Sequence, residues 1–422
     1  MFRKLLLVFL LPSLVMAQDF DTYFKDKTLR LDYVFGGNSN EQFVFLDELN
    51  SLPQWAGRTH HLSENILEGN AQVRIYDKDS GELIYTQGFS TLFQEWLSTD
   101  EAKTISRSFE NIALVPFPKK DIVVEIVFFN TSGNEEVKLK HSVSPDDILI
   151  HTKGIDKITP HTVLHKAKEP KKAIEVVFVA EGFKKEEMGL FYNYAKTAMN
   201  EIFKHEPFGE FADRFTFYAV ESISEDSGVS VPRVNDWKNT AVSSNFDTFY
   251  SERYLTTNSL KQLHDLLAGI PYEHIVILAN TEVYGGGGIY NAYTLTTTGN
   301  PKFKPVVVHE FGHSFAGLAD EYFYEYDVLS DLISTKKEPW EQNITTLVDF
   351  ESKWKDKLEN GTPIPTPQSL NDKYPIGVYE GLKGNKIYKA SLECRMRTNE
   401  YDKFCSICQD AITDLILFYT GS

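Results

Sequence analysis

The chain has 422 residues and a formal charge of −17 at pH 7, with 24% charged and 42% hydrophobic residues. That balance is ordinary for a globular protein, and the length calls for two or three domains. So acidic a chain lacks the basic face that nucleic-acid binding requires, and no stretch is long and apolar enough for a membrane span.

Residues 1–17 read as an export signal. Arg3 and Lys4 form a short basic region, residues 5–11 an apolar stretch too short to cross a bilayer, and Val15-Met16-Ala17 a small-residue cleavage site. No cysteine follows, so a lipid anchor is not indicated. The mature chain is expected to be secreted or periplasmic.

Residues 18–143 read as an all-β, sandwich-like domain. Leu29, Leu31, Tyr33 and Phe35 alternate with Arg30, Asp32 and Val34, the period of a half-buried strand. Val73 and Ile75 precede the turn cluster Asp77-Lys78-Asp79-Ser80-Gly81, and Leu83-Ile84-Tyr85 resume after it, as in a hairpin. Residues 122–129 give a further strand. Residues 144–170, with Pro145, Pro160, Pro170 and little periodicity, read as the interdomain connection.

From residue 171 to the end the texture is α/β. Residues 174–180, 215–220 and 274–279 are buried strands, and 186–205 and 260–267 are helices, an order that gives a mostly parallel sheet with crossovers. Gly285-Gly286-Gly287-Gly288 is no phosphate-binding loop, because no Gly-Lys-Ser/Thr follows. It reads either as a flexible loop or as a substrate rim at Gly286, Gly287 and Gly288, whose backbone pairs with an extended substrate.

The chemistry concentrates in His309-Glu310-Phe311-Gly312-His313-Ser314-Phe315-Ala316-Gly317-Leu318-Ala319-Asp320-Glu321-Tyr322. Two histidines four apart on a helix stack one turn above the other and offer two imidazole nitrogens to one ion. Glu310 lies about 100° around that helix, where it flanks the metal without binding it. Gly312 costs about 1 kcal/mol in a helix interior, which implies a close neighbour. Gly317 is placed to end the helix in a left-handed cap, and Asp320 follows as a third ligand. Such a set holds one catalytic Zn²⁺ and activates water for peptide hydrolysis.

Three cysteines, Cys394, Cys405 and Cys408, lie near the C-terminus. In an exported protein they suggest a disulfide from Cys394 to Cys405 or Cys408. A three-cysteine zinc site is a second reading, but no histidine follows His313 to complete it. A redox C-x-x-C lacks its context.

The segment from His309 to Tyr322 resembles the signature of the immunoglobulin A peptidase family of zinc metallopeptidases, a metzincin-like group. Phe178-Val179-Ala180-Glu181-Gly182-Phe183, Asp226-Ser227-Gly228-Val229, Tyr284-Gly285-Gly286-Gly287-Gly288-Ile289-Tyr290, Cys394-Arg395-Met396-Arg397 and Phe404-Cys405-Ser406-Ile407-Cys408 are similar to other family segments. The resemblance covers roughly residues 173–419. It implies a metzincin-like zincin catalytic domain of α/β class behind the N-terminal β domain, with Met396 in a Met-turn beneath the metal. One departure matters. The metzincin pattern places glycine three residues after the second histidine and a ligand three further on. Here Gly317 is four residues on and the standard ligand offset falls on Ala319, so one residue is taken as inserted and Asp320 as the ligand. Glu321, Glu338 and Glu341 are the other candidates. The expected activity is that of an exported zinc endopeptidase with Glu310 as general base, acting on protein or peptide, with immunoglobulin A or other secreted glycoproteins as candidate substrates. The alternative is a non-enzymatic binding protein with a structural metal site, whose β module engages a host protein or polysaccharide. Nothing in the sequence sets an oligomeric state.

Overall fold

The computed structural model describes residues 19–130, 133–322, 334–381 and 386–421. The segment read as an export signal lies outside them. A single turn, α1 (Phe20–Tyr23), leads into β1 (Phe24–Gly37), which pairs antiparallel with β2 (Gln42–Leu52). β3 (Ala71–Asp77) and β4 (Leu83–Phe89) form the expected hairpin. At its turn the Asp77 carboxylate accepts from the backbone N–H of Asp79 and Ser80, an Asx turn that closes on Gly81 at φ 73°. α2 (Leu92–Trp96), β5 (Arg107–Pro118), β6 (Ile122–Phe129) and β7 (Glu135–Val143) follow. The result is two four-stranded sheets, ordered β5-β1-β2-β8, with β8 at His151–Thr152, and β4-β3-β6-β7. They share one core, in which Phe35 of β1 packs against Phe128 of β6 with ring centroids 5.1 Å apart.

The alternation along β1 predicted a polar side for Arg30 and Asp32. Both are instead fully buried. Arg30 pairs with Asp32 at 2.7 Å and with Asp265 at 2.6 Å, and Asp265 belongs to α4 (Leu260–Leu266), far along the chain. The outer face of the β1 sheet is therefore covered by the following α/β region, and its charges are satisfied across that seam. In a buried pair of this kind the cost of desolvation offsets much of the attraction.

Beyond β8, β9 (His161–His165) joins the next sheet, so the segment read as a connection contributes a strand to each side. This third, six-stranded sheet runs β13-β14-β12-β10-β11-β9. Its centre is parallel: β10 (Ile174–Glu181) lies between β11 (Phe215–Val220) and β12 (His274–Ala279), and β12 pairs with β14 (Tyr293–Thr297). β9 and β13 (Gly286–Ile289) are antiparallel edges. Every residue of β10 is buried, as a strand covered on both faces must be. Val177 and Val179 face the core shared with the N-terminal region. Val176, Phe178 and Ala180 face the helices α3 (Met188–Phe203), α5 (Phe303–Ala316) and α6 (Ser406–Thr420). Each fully buried Val or Phe here contributes roughly 1.5–3 kcal/mol. A small sheet of β15 (Ile344–Thr345), β17 (Tyr388–Lys389) and β16 (Tyr379–Glu380) sits between α5 and α6 in the chain. No helix among the described residues is long and apolar enough to cross a membrane.

Candidate metal centre

α5 carries the candidate centre, and its sequence explains its position. Val307, Val308, Phe311 and Phe315 bury one side of the helix in the core. Gly317 caps the helix at φ 57°, and its N–H bonds the His313 carbonyl at 2.9 Å while Leu318 bonds Gly312 at 3.2 Å. This left-handed cap turns the chain back under the helix end. Asn343 then clamps the returning loop, accepting from the Ala319 N–H and donating to the Ala319 carbonyl, both at 2.8 Å.

The loop delivers Asp320 to the two histidines. Its Oδ1 lies 3.0 Å from His309 Nε2 and 3.3 Å from His313 Nε2, and the two Nε2 atoms are 3.1 Å apart. Each imidazole already spends its Nδ1 proton on a backbone carbonyl: His309 on Arg395 at 3.1 Å and His313 on Leu318 at 2.5 Å. In neutral rings both Nε2 atoms are then lone pairs, and three acceptors face one another. Ligands roughly 2.0 Å from a tetrahedral zinc stand about 3.3 Å apart, so the spacing and the donor types fit that ion. Without a cation the conflict is relieved only by protonation. Burial disfavours a charged His313, but Asp320 overrides it and raises the imidazole to about 9. For Asp320 burial works upward, yet the histidines hold it far below the ordinary carboxylate range. By holding the Nδ1 protons, the Arg395 and Leu318 carbonyls also fix the tautomer a metal needs.

Glu310 is one residue on from His309 and its carboxylate joins the same cluster, within 4.8 Å of both imidazoles. Burial pushes its carboxyl up, against the pull of His309 and His313. Of the other carboxylates considered from sequence, Glu338 is held by Thr346 and the Asp349 N–H. Glu341 lines the cleft without joining the imidazole cluster, and Glu321 turns away to the cysteines. Met396, fully buried, lies under α5 in a turn where Arg397 bonds back to Cys394. A Cβ on Gly312 would sit 2.8 Å from its sulfur, so the close neighbour implied by Gly312 is Met396.

The glycine run is not a flexible loop: residues 286–289 form β13, and glycine is needed there for space. A Cβ on Gly286 would meet Glu310 Oε1 at 2.8 Å, and one on Gly288 the Glu310 carbonyl at 2.3 Å. At Gly286 the strand edge is already engaged, donating to Arg253 and accepting from Leu255. The disulfide expected among the cysteines is not formed. All three are free, and Cys394 and Cys408 place their sulfurs 3.6 Å apart around a carboxylate instead.

The centre opens on a cleft of about 950 Å³. One wall comes from the N-terminal region, which sequence did not assign to the site. There the Tyr254 hydroxyl donates to Glu95, whose carboxyl burial raises to about 7. The Tyr322 ring lies nearly parallel to His309, centroids 6.0 Å apart. No spacing rule points to Glu95, Arg395 or Asn343, which act through contacts made only on folding.

An HExxH helix with its histidines turned to a cleft, on a mixed α/β sheet, is the arrangement of a metallopeptidase. The family model described as IgA Peptidase M64 matches residues 162–374, and that described as Peptidase M64 N-terminus matches residues 19–140. The chain belongs to the IgA Peptidase M64 family, a family of metallopeptidases. No curated protein matches it.

Proposed function

We propose that the protein is an exported, zinc-dependent endopeptidase of metzincin-like type, with residues 144–170 connecting an N-terminal β domain to the catalytic domain. The observation that carries this is the convergence of His309 Nε2, His313 Nε2 and Asp320 Oδ1 at 3.0–3.3 Å, beside Glu310 and open to a cleft. His309, His313 and Asp320 are the zinc ligands. Zinc, when bound, supplies a Lewis acid that polarises the scissile carbonyl and eases deprotonation of water. Glu310 takes the proton of the attacking water and hands it to the departing amine. Met396 is the Met-turn residue, filling the space beneath the histidines with a soft thioether. The strand of Gly286, Gly287 and Gly288 forms one wall of the substrate cleft and keeps it thin. Substrates are proteins, and immunoglobulin A and other secreted glycoproteins are the first to try. Export rests on Arg3, Lys4 and the apolar residues that follow.

The test is a digest of a diverse peptide library and of purified immunoglobulins by the mature chain. Cleavage that a chelator abolishes, that zinc restores, and that is absent from Glu310→Ala supports the assignment. Undiminished cleavage by Glu310→Ala would falsify it. Detection of the cleaved N-terminus in the extracellular or periplasmic fraction tests export.

A further inference from the structure

A second cluster lies behind the first. Cys394, Cys405, Cys408 and Glu321 are all buried, and their sulfur and oxygen atoms all lie within 4.8 Å of one another. Cys394 Sγ is 3.6 Å from Cys408 Sγ. Glu321 Oε1 is 3.3 Å from Cys408 Sγ and 3.9 Å from Cys405 Sγ. For zinc with sulfur ligands at roughly 2.3 Å and oxygen at roughly 2.0 Å, tetrahedral geometry sets S···S near 3.8 Å and S···O near 3.5 Å. From this we infer a second, structural zinc site with a Cys₃Glu ligand set, closed by the protein on all sides.

Several neighbours of the cluster favour anionic sulfur and oxygen at these positions. Cys394 Sγ accepts backbone N–H groups from Met396 at 3.4 Å and Cys405 at 3.3 Å. Cys405 is the cap residue at the N-terminus of α6 and Cys408 sits in its first turn, where the helix dipole favours anionic sulfur. Lys389, itself buried, donates to the Glu321 backbone carbonyl at 2.9 Å and brings a positive charge alongside. Glu321 Oε1 takes one bond from Asn343 at 3.2 Å, while Oε2 has no hydrogen-bond partner. A buried carboxylate oxygen left in that condition is costly unless a proton or a cation answers it, and of the two only a cation also engages the three sulfurs. A disulfide between any two of the cysteines answers neither the third thiol nor Glu321. The sequence hid the site because its fourth donor is a glutamate far before the cysteines in the chain, not a histidine after them. The second site does not depend on the role given to His309, His313 and Asp320.

Its purpose follows from what it joins. Glu321 is the residue after Asp320, and its N–H bonds the Met396 carbonyl at 2.9 Å. Cys394 opens the turn that holds Arg395 and Met396 against α5. A cation there pins the returning loop and that turn to the start of α6.

The test uses the full-length mature chain and its His309→Ala/His313→Ala variant, which empties the first site and leaves the second untouched. Zinc is counted by elemental mass spectrometry on protein purified under reducing conditions without added metal. The expected result is about two zinc ions per wild-type chain and about one in the double variant. In that variant cobalt(II) substitution should give the intense near-ultraviolet sulfur-to-cobalt band, and Glu321→Gln introduced into it should weaken zinc retention. Loss of zinc from the double variant together with absence of the sulfur-to-cobalt band overturns the inference. So does an intact mass two hydrogens low in protein purified without reductant, the mark of a disulfide.

Discussion

Asp320 and Glu321 are neighbours in the chain, and they serve two clusters of different character. Asp320 joins two imidazoles at the floor of a cleft, and Glu321 joins three sulfurs in a sealed interior. The first set has three protein donors and open space before them, with Glu310 at the side. The second has four donors and no opening. Zinc chemistry separates along the same line: sites that catalyse keep a coordination position free, and sites that brace a fold close it. A single reversal of the chain after Gly317 thus delivers one carboxylate to each cluster.

The largest expected effects test the open cluster. His313→Ala should lose the zinc of that site and all measurable peptidase activity. Glu310→Ala should keep the zinc and lose activity by about 10²–10⁴-fold, the range for a general acid–base group. Both should fold as wild type does, which circular dichroism and thermal melting check. Parallel loss of zinc in Glu310→Ala would assign Glu310 as a ligand and break the distinction drawn between flank and donor set.

The closed cluster should answer in the opposite sense. Cys408→Ser leaves the cleft residues intact but is expected to cost about 4 kcal/mol or more, because losing a buried metal belongs to the few mechanisms of that size. Urea unfolding measures it. An unchanged midpoint, with wild-type zinc content, would leave the sealed cluster without a structural role.

Much of the open site was legible from sequence because its logic is local. Helical spacing places His309 over His313, and a glycine after the last helical residue marks the cap at Gly317. The shifted glycine moves the expected third ligand from Ala319 to Asp320, and the structure brings Asp320 to the two imidazoles. The closed cluster was half legible: the cysteines are close in sequence, but Glu321 reaches them only through the fold. Arg30 and Asp32 were misread for the same reason. Strand alternation says which residues share a face, and it cannot say that a second region carrying Asp265 will cover the polar one. The glycine run was read as loop or rim, whereas its spacing is set by contact with α5, a distance no one-dimensional pattern contains.

That contact gives a smaller, sharper test. A methyl group at Gly288 would press on the Glu310 carbonyl at 2.3 Å and on His313 Cβ at 2.8 Å, and neither yields unless α5 moves. Gly288→Ala should cost about 1–3 kcal/mol by overpacking and lower kcat/KM by up to about 10²-fold through displacement of the histidines. The sealed cluster should keep its sulfur-to-cobalt spectrum. Gly189→Ala, at an open position near the start of α3, is the control and should gain up to about 1 kcal/mol.

The smallest effect concerns the wall that only the open cluster has. Glu95 comes from the N-terminal region, lines the cleft and accepts from Tyr254, while the sealed cluster is built without that region. Burial raises the Glu95 carboxyl from its ordinary 4.5 to about 7, even though the Tyr254 hydroxyl pulls it down. Between those values the folded chain holds a proton that the unfolded chain has released. The folded state then binds more protons, so stability falls as pH rises. The contribution is fully present below about pH 4.5 and is lost by the time pH has passed about 7. Glu95→Gln keeps an acceptor for Tyr254 and removes the titration. Melting temperatures of the two proteins should therefore converge at low pH and separate above neutrality, with the variant the more stable. Other partly buried carboxyls, such as Glu273, raised by desolvation to about 8, titrate in both proteins and cancel in the difference. A pH-independent difference would place Glu95 outside the buried wall, and with it the claim that the open cluster, unlike the sealed one, borrows part of its surface from the β domain.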